Sequence, residues 1–201
     1  MVSTNDLTLV IGGSSMNGDA MKQRRAERSP RLEARLAGVF YLLAVLTAVF
    51  NEFVVHGRLG FLGVLMPVAC YVVVTLLLYA IFKPVNSSVA LLALCVNLVG
   101  LTFEALELQP RGVNIAVVFH GFFCLLFGYL ILRSTFLPRV LGALMMFAGL
   151  VWLMYLSPPL ANYLSPYNTA FGIVGEWLPM LWLLVMGVNV QRWKERAKAA
   201  G

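Results

Sequence analysis

Six apolar runs divide this chain: residues 36–55, 59–82, 88–108, 113–132, 140–156 and 169–190. Most reach or approach the ~20 residues that a helix needs to cross a ~30 Å hydrocarbon layer. No water is available there to satisfy the backbone, so a spanning run must be a helix or part of a closed barrel. Runs this long and this uniformly apolar predict helices. The breaks between them are "HGR", "KPVN", "QPRG", "RSTFLPR" and "SPPLANYLSPYN". Each combines Pro or Gly with polar residues, the usual punctuation between helices. The expected fold is therefore all-α, a polytopic six-transmembrane-helix bundle. A soluble core is excluded by composition, because 60% of the 201 residues are hydrophobic and 12% charged, against about 45–50% and 25% in soluble domains.

Charge then orients the bundle. Lys22, Arg24, Arg25, Arg28, Arg31 and Arg35 precede the first run, Lys83, Arg133 and Arg139 lie in the second and fourth breaks, and Arg192, Lys194, Arg196 and Lys198 close the chain. Only Arg58 and Arg111 fall on the other side. The positive-inside rule places both tails in the cytoplasm. The expected organisation is a disordered basic tail over 1–30, a six-helix transmembrane domain over 31–191, and a short basic tail over 192–201. Anionic lipid head groups are the expected partners of those tails. The pI near 9.5 comes from these flanking clusters, and nucleic acid is not an expected partner. The apolar patch "LTLVI" in the first tail is too short for a signal-peptide core, and "VIGGSSMNGD" lacks the strand–loop–helix context of a phosphate loop. Met21 is an alternative start to Met1.

Against this apolar background the ionisable residues stand out. Glu52 ends the first run, Glu104 and Glu107 end the third, His120 lies in the fourth and Glu176 in the sixth, with His56 in the first outer loop. At 1.5 Å per residue, His120 and Glu176 lie about 10 Å below the outer boundary and Glu104 about 6 Å below it. Glu52 and Glu107 are close enough to the boundary to read as solvated helix ends. A buried charge at the other depths is costly and is ordinarily paired or functional.

Helical spacing puts these groups on stripes of small and polar residues, the side that packs against other helices in a membrane. Those stripes are Asn97, Gly100, Glu104 and Glu107; His120, Cys124 and Gly128; Gly172, Gly175/Glu176 and Pro179; Tyr41, Ala44, Ala48 and Asn51/Glu52; and Gly63, Pro67, Tyr71, Thr75 and Tyr79. The fifth run has no polar stripe and is expected at the periphery. Glu176, His120, Glu104 and Asn97 are the candidate ligand- or proton-binding residues, with His120 and Glu176 expected to meet. For each, a structural interhelical hydrogen bond is the alternative.

No catalytic residue, cofactor or metal is expected. Only two histidines exist, without His-x-x-His or Glu-x-x-His spacing, and Cys70, Cys95 and Cys124 read as buried small hydrophobes with no Cys-x-x-Cys pair. Hydrolase and nucleotide-binding signatures are missing. There is also an echo at an offset of fifty residues, "YAIFKPVNSSVALLAL" (79–94) against "YLILRSTFLPRVLGAL" (129–144). Either duplicated hairpins or chance matching of Leu-rich helices accounts for it.

The stretches "RLAGVFYLLAVLTAVFNEF", "LLLYAIFKPVNSSVALLA", "FHGFFCLLFGYLILRSTFLPRVLGALMMFAGL" and "GEWLPMLWLLVMGVN" resemble a bacterial integral-membrane family known as domain of unknown function 4386. The resemblance runs from Arg35 to Asn189 and is most specific in "GYLILRSTFLPRVLG". It implies a multi-pass protein of the bacterial inner membrane without an established activity. Glu176 matches the family's Gly-Glu at the start of the last span. The family's first outer connection is longer than the "HGR" here, and its fourth-span histidine falls where this chain has Phe123. The leading expectation is a non-enzymatic protein that binds or passes a small molecule, lipid or proton through an outer-facing polar pocket. The alternatives are a membrane enzyme acting on a lipid or quinone at the outer leaflet, and a structural subunit of a membrane complex.

Overall fold

A computed structural model describes residues 30–51 and 61–200. The helices are α1 (Pro30–Val49), α2 (Phe61–Phe82), α3 (Ser87–Ala105), α4 (Ile115–Arg133), α5 (Arg139–Leu153), the short α6 (Pro158–Leu164), α7 (Tyr167–Val185) and α8 (Val190–Ala200). No strand occurs among the described residues. Six helices, α1 to α5 and α7, are long and apolar enough to cross a membrane, α5 with the 3-10 turn that extends it to Leu156. The all-α, six-span expectation holds. The segment holding Glu52, His56 and Arg58, and the first tail through residue 29, lie outside the described residues.

Local chemistry sets the ends. Asn86 and Asn114 cap α3 and α4, their side-chain oxygens accepting from the Val89 and Val117 N–H groups, which satisfies amides that the first helical turn leaves free. Gly187, at a φ of 69°, ends the last span in the left-handed conformation that glycine adopts without steric cost. The sixth span therefore does not run on into "QRWKERAKAA" as one helix. The chain turns at Gly187 and begins α8, whose Trp193 indole N–H donates to the Ile81 carbonyl at 2.8 Å. Similarly, Glu107 lies beyond the end of α3 with a φ of 51°, so it does not continue the stripe of Asn97, Gly100 and Glu104.

The spans pack in chain order, α1 on α2, α2 on α3, α3 on α4, α4 on α5 and α5 on α7, and α7 returns to α1. The result is a closed ring of antiparallel neighbours. Its outer surface carries exposed Leu43, Leu46, Leu76, Leu92, Phe147 and Leu150, apolar groups that fit lipid contact. The expectation of a peripheral fifth span is corrected. The α4–α5 pair has the most extensive packing in the molecule, because two glycine pairs let the backbones touch. A Cβ on Gly128 would meet the Gly142 carbonyl at 2.8 Å, and one on Gly149 would meet the Gly121 carbonyl at 2.8 Å. The contact stripe of α5 is made of small residues, which draw helices together in lipid as polar ones do.

The two halves of the ring interior differ. Towards the basic end, where Arg35 donates to the Val185 carbonyl and Arg192 to the Thr135 carbonyl, Phe82, Phe123, Phe127 and Phe136 form a tight aromatic core, with Phe82 edge-on to Phe127 at 4.8 Å. Towards the opposite end, where residues 107–114 connect α3 to α4, the interior opens into a cavity.

Candidate functional site

The cavity has a volume of about 560 Å³. Glu104, Glu107, Gln109 and Asn114 line its mouth, Val45, Val64, Pro67 and Trp177 belong to its walls, and Tyr71, His120, Trp152 and Glu176 meet at its floor. The floor is where the stripes of the separate helices converge, and every span supplies a residue to it or to the network just beneath.

Glu176 of α7 is at the centre, 4% exposed. Its Oε2 lies 3.0 Å from His120 Nε2 of α4, and its Oε1 accepts from the Tyr71 hydroxyl of α2 at 2.5 Å. His120 Nδ1 lies 3.4 Å from Asn97 Oδ1 of α3. The Asn97 amide nitrogen donates to the Thr75 hydroxyl at 2.7 Å, which itself donates to the Tyr71 carbonyl at 2.8 Å. Asn97 and Thr75 are each 1% exposed. Tyr41 of α1 packs edge-on against Tyr71 with ring centroids 5.7 Å apart. Trp152 of α5 packs edge-on against His120 at 6.3 Å. Its buried indole N–H lies beside Glu176 but outside hydrogen-bond geometry.

These orientations determine where protons sit. Thr75 commits its hydroxyl proton to Tyr71, so it accepts from the Asn97 nitrogen and the Asn97 oxygen faces the imidazole. Nδ1 must then be the protonated nitrogen if that contact is to be a hydrogen bond. One further proton lies between Nε2 and Oε2. Held on Nε2, it gives an imidazolium–carboxylate pair; held on Oε2, it gives a neutral pair. Both arrangements satisfy His120, Glu176 and Tyr71 and carry no net charge, as a site at membrane depth requires.

Of the residues singled out in the sequence, the structure brings Glu176, His120 and Asn97 together and leaves Glu104 apart. Glu104 faces the cavity mouth as an exposed side chain, and the third group on Glu176 is Tyr71. Tyr71, Thr75 and Tyr41 belong to small or polar stripes in the sequence, but nothing there marks them as site residues. Their hydroxyls cost little in an apolar run and so raise no flag. Trp152 carried no signal, since an indole in a membrane span is ordinary.

A buried, hydrogen-bonded ion-pair cluster inside a six-span helical ring defines a class: an integral membrane protein with an internal polar site. The sequence model of the family described as Domain of unknown function (DUF4386) matches residues 100–187. The chain is similar to this family over those residues, from the last turns of α3 to the glycine that ends α7, in agreement with the resemblance in the sequence. His120, Cys124, Trp152 and Glu176 fall inside the match, and Tyr41, Tyr71, Thr75 and Asn97 precede it. No curated protein and no solved structure matches the chain.

Proposed function

We propose that this protein binds a small amphipathic molecule in the cavity, packed against the Trp152 ring that lines its floor. The observation that carries the reading is the cavity itself. Its volume of about 560 Å³ lies within the ~300–1,000 Å³ of typical ligand sites, which are mostly apolar with a few placed polar groups. Its walls suit an acyl or isoprenoid portion, and its polar lining suits a polar head. Beneath the floor the aromatic core closes the ring, which favours binding over a continuous path. The bias of basic residues to one end supports a mouth on the outer side of the cytoplasmic membrane, with both tails inside.

The test is lipid and quinone analysis of the purified protein by mass spectrometry, comparing the wild type with Trp152→Ala. A retained species that falls at least severalfold in the variant supports the reading. Equal retention, or none in either, removes it. Uptake into proteoliposomes would replace binding with transport.

A further inference from the structure

Three donor atoms of different chemistry converge beneath the cavity floor. Cys124 lies one helical turn from His120 on the same face of α4, with Sγ 3.5 Å from Nε2, and Glu176 approaches the same nitrogen from α7 at 3.0 Å. One ligand atom from each residue lies within 4.8 Å of the other two. A tetrahedral ion bound at about 2.0–2.3 Å has ligand–ligand edges of about 3.3–3.8 Å. Two of the three separations are already near that size, and small side-chain rotations supply the rest.

We propose that His120, Cys124 and Glu176 bind a divalent transition-metal ion, zinc being the best match to a mixed nitrogen, sulfur and oxygen set. The surrounding hydrogen bonds are those a metal site needs. The Asn97 oxygen holds the proton on Nδ1, which leaves Nε2 as the ligand, and Tyr71 occupies Oε1 and leaves Oε2 free. Outer partners of this kind fix the tautomer and aim the ligands. Charge supports the same assignment. Binding displaces the protons on Nε2 and Sγ, so a dication, a thiolate, a carboxylate and a neutral imidazole sum to zero. A fourth ligand would come from the cavity, which His120 and Glu176 line and which supplies the entry path.

This departs from the sequence reading, in which no metal is expected and Cys124 is a small hydrophobe. The His–Cys spacing lies within one helix, but the carboxylate that completes it lies on another. The inference deepens the proposed function by naming what the floor holds, and rests on the floor being a binding site.

The test uses the full chain in detergent, stripped with a chelator and titrated with cobalt(II) as a spectroscopic probe and zinc as competitor. We expect one ion per chain and a thiolate-to-cobalt absorption band that zinc abolishes. The band should survive in a Cys70→Ser/Cys95→Ser double variant and vanish in Cys124→Ala. Asn97→Leu should weaken zinc binding by about 10–100-fold. No band in the wild type, or a band that persists in Cys124→Ala, overturns the proposal. Because the wild type and the double variant keep all three ligands, a folding failure of Cys124→Ala leaves the test decisive. A missing band together with a Trp152-dependent lipid would reject the metal and leave the ligand pocket standing, whereas a metal without any retained molecule would do the reverse.

Discussion

At the scale of the residue, Glu176 does most to hold the interior together. It accepts from Tyr71 and pairs with His120, and an alkyl side chain in its place would remove the acceptor of the Tyr71 hydroxyl and the carboxylate facing His120 Nε2 where water is scarce. Each orphaned group costs about 1–3 kcal/mol. Glu176→Gln keeps the contacts, its carbonyl accepting from Tyr71 and its amide donating to Nε2. The Gln variant should therefore melt near the wild type in detergent, and Glu176→Leu several degrees lower, at roughly 2–4 °C per kcal/mol for a chain of this size. Equal melting of the two would show that the pair contributes no stability. The meeting of His120 with Glu176 was legible because ionisable groups are rare at that depth and both sat on small-residue stripes. The partners of that pair were not legible, since hydroxyls and indoles are common in membrane helices and only three-dimensional convergence distinguishes these.

At the scale of the element, α4 and α5 form the tightest unit, zipped by Gly121 with Gly149 and Gly128 with Gly142. The spacing of seven within each helix is in the sequence. Its meaning depends on which helix lies opposite, and polarity, the cue used to rank the spans, is silent about glycine. Hence polarity alone puts α5 at the edge, whereas it is a full member of the ring. A side chain at Gly142 would press on the Gly128 carbonyl and on Leu132. Gly142→Leu should lower stability by at least the ~1–3 kcal/mol of ordinary overpacking, read as a lower melting temperature, whereas Val140→Leu at a position 68% exposed should change it little. Similar losses for both would mean that the glycine contact is not the cause. The end of α7 shows a different limit. Apolarity continued past residue 185, and only the backbone conformation at Gly187 separates the span from α8.

At the scale of the whole molecule, six spans and a basic end were legible because length, hydropathy and charge are summed properties that survive errors at single positions. The ring order was not, as hydropathy does not say which helices are neighbours. Arg35, Arg192 and the α8 helix gather at one end of the ring, while residues 107–114 lie at the other. Reporter fusions after residue 111 and after residue 194 should therefore report opposite compartments, the first outside and the second inside. The same compartment for both would contradict the assigned orientation.

The closure of the ring by α7 against α1 has a consequence for biogenesis. Spans enter a membrane from the first to the last, and Glu176 arrives only with the sixth. Until then Tyr71 and His120 face an open furrow without their carboxylate, and α1 lacks its second neighbour. Before α7 is in place, these polar groups lack the partner that the closed ring gives them. The sixth span, α7, supplies both the missing wall and the missing carboxylate.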